Sequence, residues 1–477
     1  MESLPLRITS PQRKWIKSLA AVAAEASAGI EWDPIAEGGG AAVTTIALSQ
    51  NRVQDRLAAL EQLRDVCVEG GPQGQSLVAS SGVLTWMLGF LETAAGLPPS
   101  STAPFLPAVL DILSALVSVD EGLPRPAPHD ELIVARLQRR AVLEGGGVNS
   151  VATILRRIAA ALTWTAGSVR ESRSLLELAA AAVGAIGSMA DRSPEVCDRL
   201  RGPHIRGGAR AAGEKGDDID AHVVGGVLAS LVACLRVAAH ACLAATADAP
   251  SPAHPSAPGA AAPPSDVALC LEVVASSARG LASLIYPRGE PVAAGGGPDA
   301  PIPGVQAELL RLGAVEAAVD AAAAVAAAAA FLGPRGGALP PTPVPLPLLA
   351  AGRVGALLAS LCYASAGNQD RAVDAGASER LPPLLLLAAA GGGCGPFLRP
   401  DAGLHVPPLL AAVRQLALGC EEHQVGRRAY RGGGRGRPQP LSHVWFSVWA
   451  QNATGTGCVP ASLRGWLLHF GVSLLPT

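Results

Sequence analysis

Aromatic side chains are scarce in this sequence: Phe, Trp and Tyr together supply only 3% of its 477 residues. Because strands favour β-branched and aromatic residues, this scarcity argues against a sheet-based fold. Hydrophobic residues still make up 49% of the chain, and most of them are Ala and Leu, which suit closely packed helices. The composition therefore predicts an all-α protein.

Lysine is nearly absent, since Lys14, Lys17 and Lys215 are the only ones in the chain. The other basic side chains that carry a permanent charge are arginines. The net charge is only −2 and the charged fraction is 16%, so no global field attracts the chain to nucleic acid or to an anionic membrane.

Paired cysteines are also missing. The 9 cysteines are scattered, and none forms a CxxC pair. Cys234 and Cys242 lie about two turns apart on one predicted helix, too far to share a tetrahedral metal ion. This pattern predicts no metal site and no disulfide framework. Buried reduced thiols, as in a cytoplasmic protein, explain it better.

Sequence motifs typical of nucleotide-binding and catalytic sites are absent as well. The sequence has no GxxxxGK[ST] loop, no GxGxxG fingerprint after a strand, and no Gly-x-Ser-x-Gly elbow. Glu421, Glu422 and His423 are better interpreted as solvated residues at a helix end than as an acid–base pair. We therefore predict no catalytic residue and no cofactor, and a protein that is not an enzyme.

Charged or ionisable residues interrupt each of the long apolar runs in the sequence. One run is interrupted by Arg236 and His240, and another by Glu316 and Asp320. The N-terminus has no unbroken apolar stretch that would indicate a secretory signal. The sequence therefore predicts no membrane span and a cytoplasmic location.

What the chain does contain is a helical pattern, clearest over residues 352–390. Its first predicted helix is Arg353–Ala364, with an apolar stripe on one face. We expect Gly367 to break that helix through a left-handed backbone. Asn368 then stands where an N-cap is wanted for a short helix, Gln369–Ala375.

A third helix completes this unit. We expect Gly376 to end the short helix and the next one to begin near Ser378. Pro382 and Pro383 would be tolerated in its first turn, and residues 384–387 supply its apolar body. A helix, a short helix, a glycine and a further helix form a unit that must stack on copies of itself, as armadillo repeats do.

The junction between the short and the third helix recurs along the chain, as Ser81-Gly82-Val83, Gly146-Gly147-Val148, Leu312-Gly313-Ala314 and Ala375-Gly376-Ala377. The recurrence predicts an armadillo/HEAT-like α-solenoid of about five or six units, each of roughly 40–47 residues before insertions. The alternative is an irregular Ala-rich helical protein.

We assign the repeats to residues 51–425. Residues 1–50 are predicted to be an N-terminal extension or a cap on the solenoid, and residues 426–477 an irregular, disordered tail. Insertions rich in Pro, Gly or charge interrupt the repeats near residues 202–218, 248–265, 287–303 and 333–347.

Residues 353–424 resemble the C-terminal region of ataxin-10-type armadillo proteins. The residues that carry the resemblance are Leu361, Cys362, Tyr363, Asn368, Gln369, Asp370, Gly376, Leu384 and Leu385. The resemblance implies a scaffold without catalytic residues that binds other proteins through the solenoid surface. It also implies a role in cytokinesis, cilium-related assembly or cell survival.

Two alternatives remain open at this stage. A transport or import adaptor of another armadillo class would need Trp and Asn ladders on its inner helices. The equivalent positions here are small serines, which favour close packing: Ser114, Ser188, Ser283 and Ser360. An RNA-associated factor would use the basic, Gly-rich segment Arg427–Arg437, although a flexible linker is the simpler interpretation.

Overall fold

A computed structural model of the chain describes residues 50–98, 105–118, 129–164, 169–201, 219–247, 264–287, 300–332, 346–391 and 408–416. The predicted N-terminal extension, the tail with Arg427–Arg437, and the four insertions lie outside these residues, apart from a few residues at their edges.

The described chain is all-α, as predicted, and no strand occurs in it. Its helices are α1 (Gln50–Glu69), α2 (Gly71–Ser80), α3 (Val83–Gly96), α4 (Leu106–Val117), α5 (His129–Glu144), α6 (Gly147–Trp164), α7 (Val169–Ala190), α8 (Pro194–Arg201), α9 (Ile219–Ala247), α10 (Pro264–Ile285), α11 (Pro303–Arg311), α12 (Ala314–Leu332), α13 (Leu346–Cys362), α14 (Ala366–Asp374), α15 (Ala377–Gly391) and α16 (408–416).

The first fifteen of these helices fall into five consecutive sets of three, which we number units 1 to 5 from α1–α3 to α13–α15, and α16 follows unit 5. The first helix of each unit packs on the first helix of the next, so that α1, α4, α7, α10 and α13 form one row. The third helices α3, α6, α9, α12 and α15 form a second row in the same way. We call these the first-helix row and the third-helix row.

Small residues let the first-helix row pack closely. Between α7 and α10, a Cβ built on Gly187 would lie 3.6 Å from the backbone nitrogen of Gly280. Between α4 and α7, the hydroxyls of Ser114 and Ser188 are hydrogen-bonded at 2.8 Å. Ser188 is buried, as are Ser283 and Ser360 further along the row. The predicted packing role is confirmed for Ser114 and Ser188, and the burial of Ser283 and Ser360 agrees with it.

Glycine occupies a left-handed position in four of the turns between the second and third helices. In unit 2 this residue is Gly146, one position before the Gly147 that the recurring junction aligns with the other three. Gly82, Gly146, Gly313 and Gly376 have φ values of 90°, 74°, 73° and 84°. A residue with a Cβ is strained in this left-handed region, so glycine is the natural choice there.

The turn before α14 differs from the prediction. Gly367 lies inside α14, and the left-handed residue is Ala364, with φ of 50°. Asn368 is not the N-cap of α14, because Ser365 occupies that position. The Asn368 side chain instead donates from Nδ2 to the carbonyl of Leu361 at 2.6 Å, and so caps the preceding helix.

Two further boundaries were predicted wrongly. α13 begins at Leu346 because Pro347 is accommodated in its first turn, where a missing N–H costs little. Pro382 and Pro383 lie in the interior of α15, beyond its first turn. A proline cannot donate a hydrogen bond to the carbonyl four residues earlier in a helix. For Pro382 and Pro383 these carbonyls lie near the start of α15, where Glu379 is exposed to solvent.

By length and composition alone, four of the described helical segments could cross a membrane: Arg173–Ala190, Gly226–Ala247, Ser265–Ile285 and Ala314–Leu332. Two of them carry the charged residues that we expected to exclude a span. Between 56% and 72% of each segment is buried against the rest of the chain, so most of its apolar surface already has a protein neighbour.

Candidate binding surface

The described residues hold no group of three or more His, Cys, Asp or Glu side chains that could bind a metal ion. Their six cysteines are free and buried. Burial raises the pKa of thiols such as Cys197, Cys234 and Cys362 to about 12, which keeps them protonated and poorly nucleophilic. The features that remain are the joints between units and the exposed face of the first-helix row.

The joint between units 1 and 2 depends on one glutamine. Gln75, on the short helix α2, donates from Nε2 to the carbonyls of Ala115 at 2.9 Å and Ser118 at 3.0 Å. These carbonyls lie at the C-terminal end of α4, where a helix leaves its last acceptors unpaired. The side chain therefore ties unit 1 to the end of the next first helix.

Gln306 on α11 makes the same type of contact between units 4 and 5. Its Nε2 lies within hydrogen-bonding distance of the carbonyls of Ser360 (2.8 Å), Leu361 (3.2 Å) and Tyr363 (3.0 Å), at the end of α13. Gln75 and Gln306 occupy similar places early in their short helices. A glutamine at the same place in two short helices can be recognised in the sequence, but we did not predict these contacts from it.

Between units 3 and 4 an arginine takes this role. Arg201, the last residue of α8, is buried and donates from Nε to the carbonyl of Leu284 at 2.7 Å. Its Nη2 contacts the carbonyl of Tyr286, and its Nη1 pairs with Asp198 at 3.1 Å. The guanidinium thus caps the C-terminal end of α10 from the preceding unit.

The ataxin-10-like residues mostly hold unit 5 together. Four of its apolar members are buried: Leu361, Cys362, Leu384 and Leu385. Gln369 donates to the carbonyl of Cys362 at 2.9 Å, beside the Asn368 contact described above. Tyr363 is 38% exposed and Asp370 is exposed. The arrangement assigns a packing and capping role to most of the motif.

The middle of the first-helix row has an open space above a small residue, Gly184, with an acidic side chain on each of the two neighbouring first helices. Asp111 lies one turn before Ser114 on α4, and Gly184 lies one turn before Ser188 on α7. On α10, the backbone of Ser276 approaches Gly187 of α7. Glu272 lies one turn before Ser276 and is therefore level with Gly184, which lies one turn before Gly187. A Cβ built on Gly184 would find no atom within 4 Å, so the space above it is open. We call this site the first-row recess.

The electrostatics of the two carboxyls agree with their place among packed helices. Desolvation, and then the charge of Glu272, raises the pKa of Asp111 to about 6, although the charge of Arg64 opposes the shift. Desolvation also raises the pKa of Glu272, against the charge of Arg353, although the Glu272 side chain is exposed. Burial by neighbouring protein atoms disfavours the charged form of a carboxyl, so both acidic groups lie close to other parts of the row.

Substituting Asp111→Asn should raise the free energy of unfolding at neutral pH by about 1–2 kcal/mol. The raised pKa means that folding favours the protonated carboxyl. Its stabilisation is complete below the unfolded value of about 4 and is lost as the pH rises through about 6. Urea unfolding at pH 4 and pH 7.5 tests this. A difference between variant and wild type that did not grow with pH would contradict it.

Comparison with known proteins adds little to this description. No family model matches the chain, and no curated protein matches it. Two crystal structures of engineered proteins from the Northeast Structural Genomics Consortium are similar over 85% and 83% of this chain, and over 97% and 98% of their own. Their identities are 13% and 12%, and their TM-scores of 0.38 and 0.37 are too low to support an argument.

Proposed function

We propose that the chain is an armadillo-type α-solenoid that acts as a non-catalytic scaffold, and that the first-row recess binds an extended segment of a partner protein. The observation that carries the proposal is the open space above Gly184 on α7, together with the two acidic side chains, Asp111 and Glu272, on the helices that pack on either side of α7.

The helix contacts support the solenoid. Each first helix packs on the first helix of the next unit, and every helix pair with substantial contact belongs to one unit or to two adjacent units. Contacts confined to neighbours characterise proteins built by stacking repeats. The left-handed glycines at four equivalent turns support the same repeat.

The shape and charge of the recess support binding of a peptide segment. Small residues at its base, Gly184 among them, leave room for a partner's backbone. Two carboxylates can accept hydrogen bonds from the partner's amides or pair with its cationic side chains. The resemblance to ataxin-10-type proteins favours a cytoplasmic scaffold, with cytokinesis, cilium-related assembly or cell survival as its setting.

Filling the recess should weaken peptide binding strongly without unfolding the protein. Gly184→Trp places a large side chain where no atom lies within 4 Å of the new Cβ. The matched control is Gly89→Trp on α3, where the space is equally open and the residue is exposed. We expect peptides selected against the full chain from a displayed random library to bind Gly184→Trp about tenfold more weakly or worse.

The same peptides should bind Gly89→Trp as tightly as the wild type, measured by fluorescence anisotropy with labelled peptide. Circular dichroism melting shows whether each variant remains folded. If no peptide is enriched, or if both tryptophan variants bind equally well, the recess is not the binding surface.

A further inference from the structure

A second site lies at the joint of units 2, 3 and 4, away from the first-row recess. Arg139 on α5 is buried, with a side chain only 4% exposed, and its Nε donates to the carbonyl of Val117 at 2.9 Å. Its Nη2 has no hydrogen-bond partner among the described residues. A buried guanidinium nitrogen without a partner destabilises the folded state, because its hydrogen bonds to water are lost on folding and no protein acceptor replaces them.

The nearest carboxylate does not satisfy this nitrogen. Asp191 Oδ2 lies 4.0 Å from Nη2 of Arg139 and 3.3 Å from Nη2 of Arg279 on α10. Both distances exceed the roughly 2.7–2.9 Å of a good charge-assisted hydrogen bond. One carboxylate oxygen is therefore shared loosely by two guanidinium groups.

A third arginine adds positive charge at the exposed edge of this cluster. Arg192 follows Asp191 directly and is exposed to solvent. Its φ of 51° is left-handed, and the corresponding turn between the first and second helices of unit 1 has glycine there, Gly71, also with φ of 51°. An arginine therefore occupies a conformation in which a Cβ is strained.

The charges do not balance within the cluster. Arg139 and Arg279 lie near Asp191, Arg192 follows it in the chain, and the nearby Asp198 is already paired with Arg201 at 3.1 Å. The first turn of α8 carries the exposed Glu195, which offsets the partial positive charge of the helix N-terminus but leaves the three arginines in excess. Desolvation first, and then the charges of Arg279 and Arg192, lower the pKa of Arg139 to about 10, although Asp191 opposes this. Such a cluster attracts an anion.

We propose that Arg139, Arg192 and Arg279 form a binding site for a phosphate-type oxyanion. Arg192 and Arg279 contact the anion at the edge open to solvent, and Nη2 of Arg139 supplies the hydrogen bond from the buried side. Arginine forks match the geometry of phosphate oxygens. The anion arrives either as inorganic phosphate or as a phosphorylated side chain of a partner. The site does not depend on the first-row recess.

Arg192→Gly tests the site without endangering the fold, because glycine relieves the left-handed strain. Titration calorimetry on the full chain measures binding of inorganic phosphate and of the peptide Gly-phosphoserine-Gly, with ionic strength held constant by chloride. We expect saturable binding to the wild type, and binding at least about tenfold weaker for Arg192→Gly. The melting temperature of the variant should equal or exceed that of the wild type.

The matched control is Arg380→Ala, which removes an exposed arginine from α15 and should leave binding unchanged. A second variant, Asp191→Asn, removes the competing carboxylate and should bind phosphate more tightly. Tighter binding of the peptide than of phosphate identifies a modified partner as the source, and equal binding identifies the free anion. If the wild type binds neither probe, or if Arg192→Gly binds like the wild type, the proposal is overturned.

Discussion

Substituting Gly74→Ala is expected to lower the free energy of unfolding by about 3 kcal/mol. Gly74 is buried where α2 packs on the end of α1, and a Cβ there would overlap the carbonyl oxygen of Val66 and approach its carbonyl carbon to 3.0 Å. These are backbone atoms of a neighbouring helix, so no side chain can rotate to make room. Urea unfolding of the full chain measures the loss.

The matched control is Gly89→Ala on α3, where a Cβ meets nothing within 4 Å. Because alanine favours a helix over glycine, this variant should be more stable than the wild type by about 0.5–1 kcal/mol. If the two alanine variants had equal stability, the close approach of α1 and α2 at Gly74 would be wrong.

The second large effect is expected at the joint between units 3 and 4. Arg201→Leu should cost about 2–4 kcal/mol, because the carbonyls of Leu284 and Tyr286 lose their buried donor, whereas Asp198 is half exposed and is hydrated when its partner is lost. Cooperative unfolding followed by circular dichroism measures this cost. A separate unfolding step for units 4 and 5 would show that Arg201 also couples the two parts.

The matched control is Arg311→Ala. Arg311 ends the short helix α11 as Arg201 ends α8, but its ion pair with Glu308 is exposed. Surface ion pairs contribute little because water and salt screen them. We therefore expect little change in stability for Arg311→Ala. Equal losses for the two arginine variants would contradict the capping role of Arg201.

The helices and the turns between them could be predicted from sequence because their signals are local. A glycine between two apolar stripes requires only knowledge of backbone sterics, and Gly82, Gly313 and Gly376 were placed in that way, whereas in unit 2 the left-handed residue is Gly146 and not the aligned Gly147. The apolar period of the helices is equally local, and it predicts helix even over Ala314–Leu332, the range of α12, which has hardly any bulky side chains.

The capping contacts could not be predicted because several acceptors compete for one amide. The side chain of Asn368 could cap its own helix or the end of the preceding one, and both choices are compatible with the sequence. Only the packing of α14 against α13 decides between them. Asp111 and Glu272 are far apart in the chain, and they face the same recess only because α4, α7 and α10 pack side by side.

In the part of the chain that the structure describes, substantial helix contacts are confined to one unit or to adjacent units, and this has a mechanical consequence. A small rotation at one joint changes the packing of two units only, and the rotations of successive joints add along the stack. The molecule should therefore flex like a spring, with its stiffness set by the side chains that cross each joint, Gln75, Arg201 and Gln306 among them. Under tension the weakest joint yields first, and the other joints keep their shape.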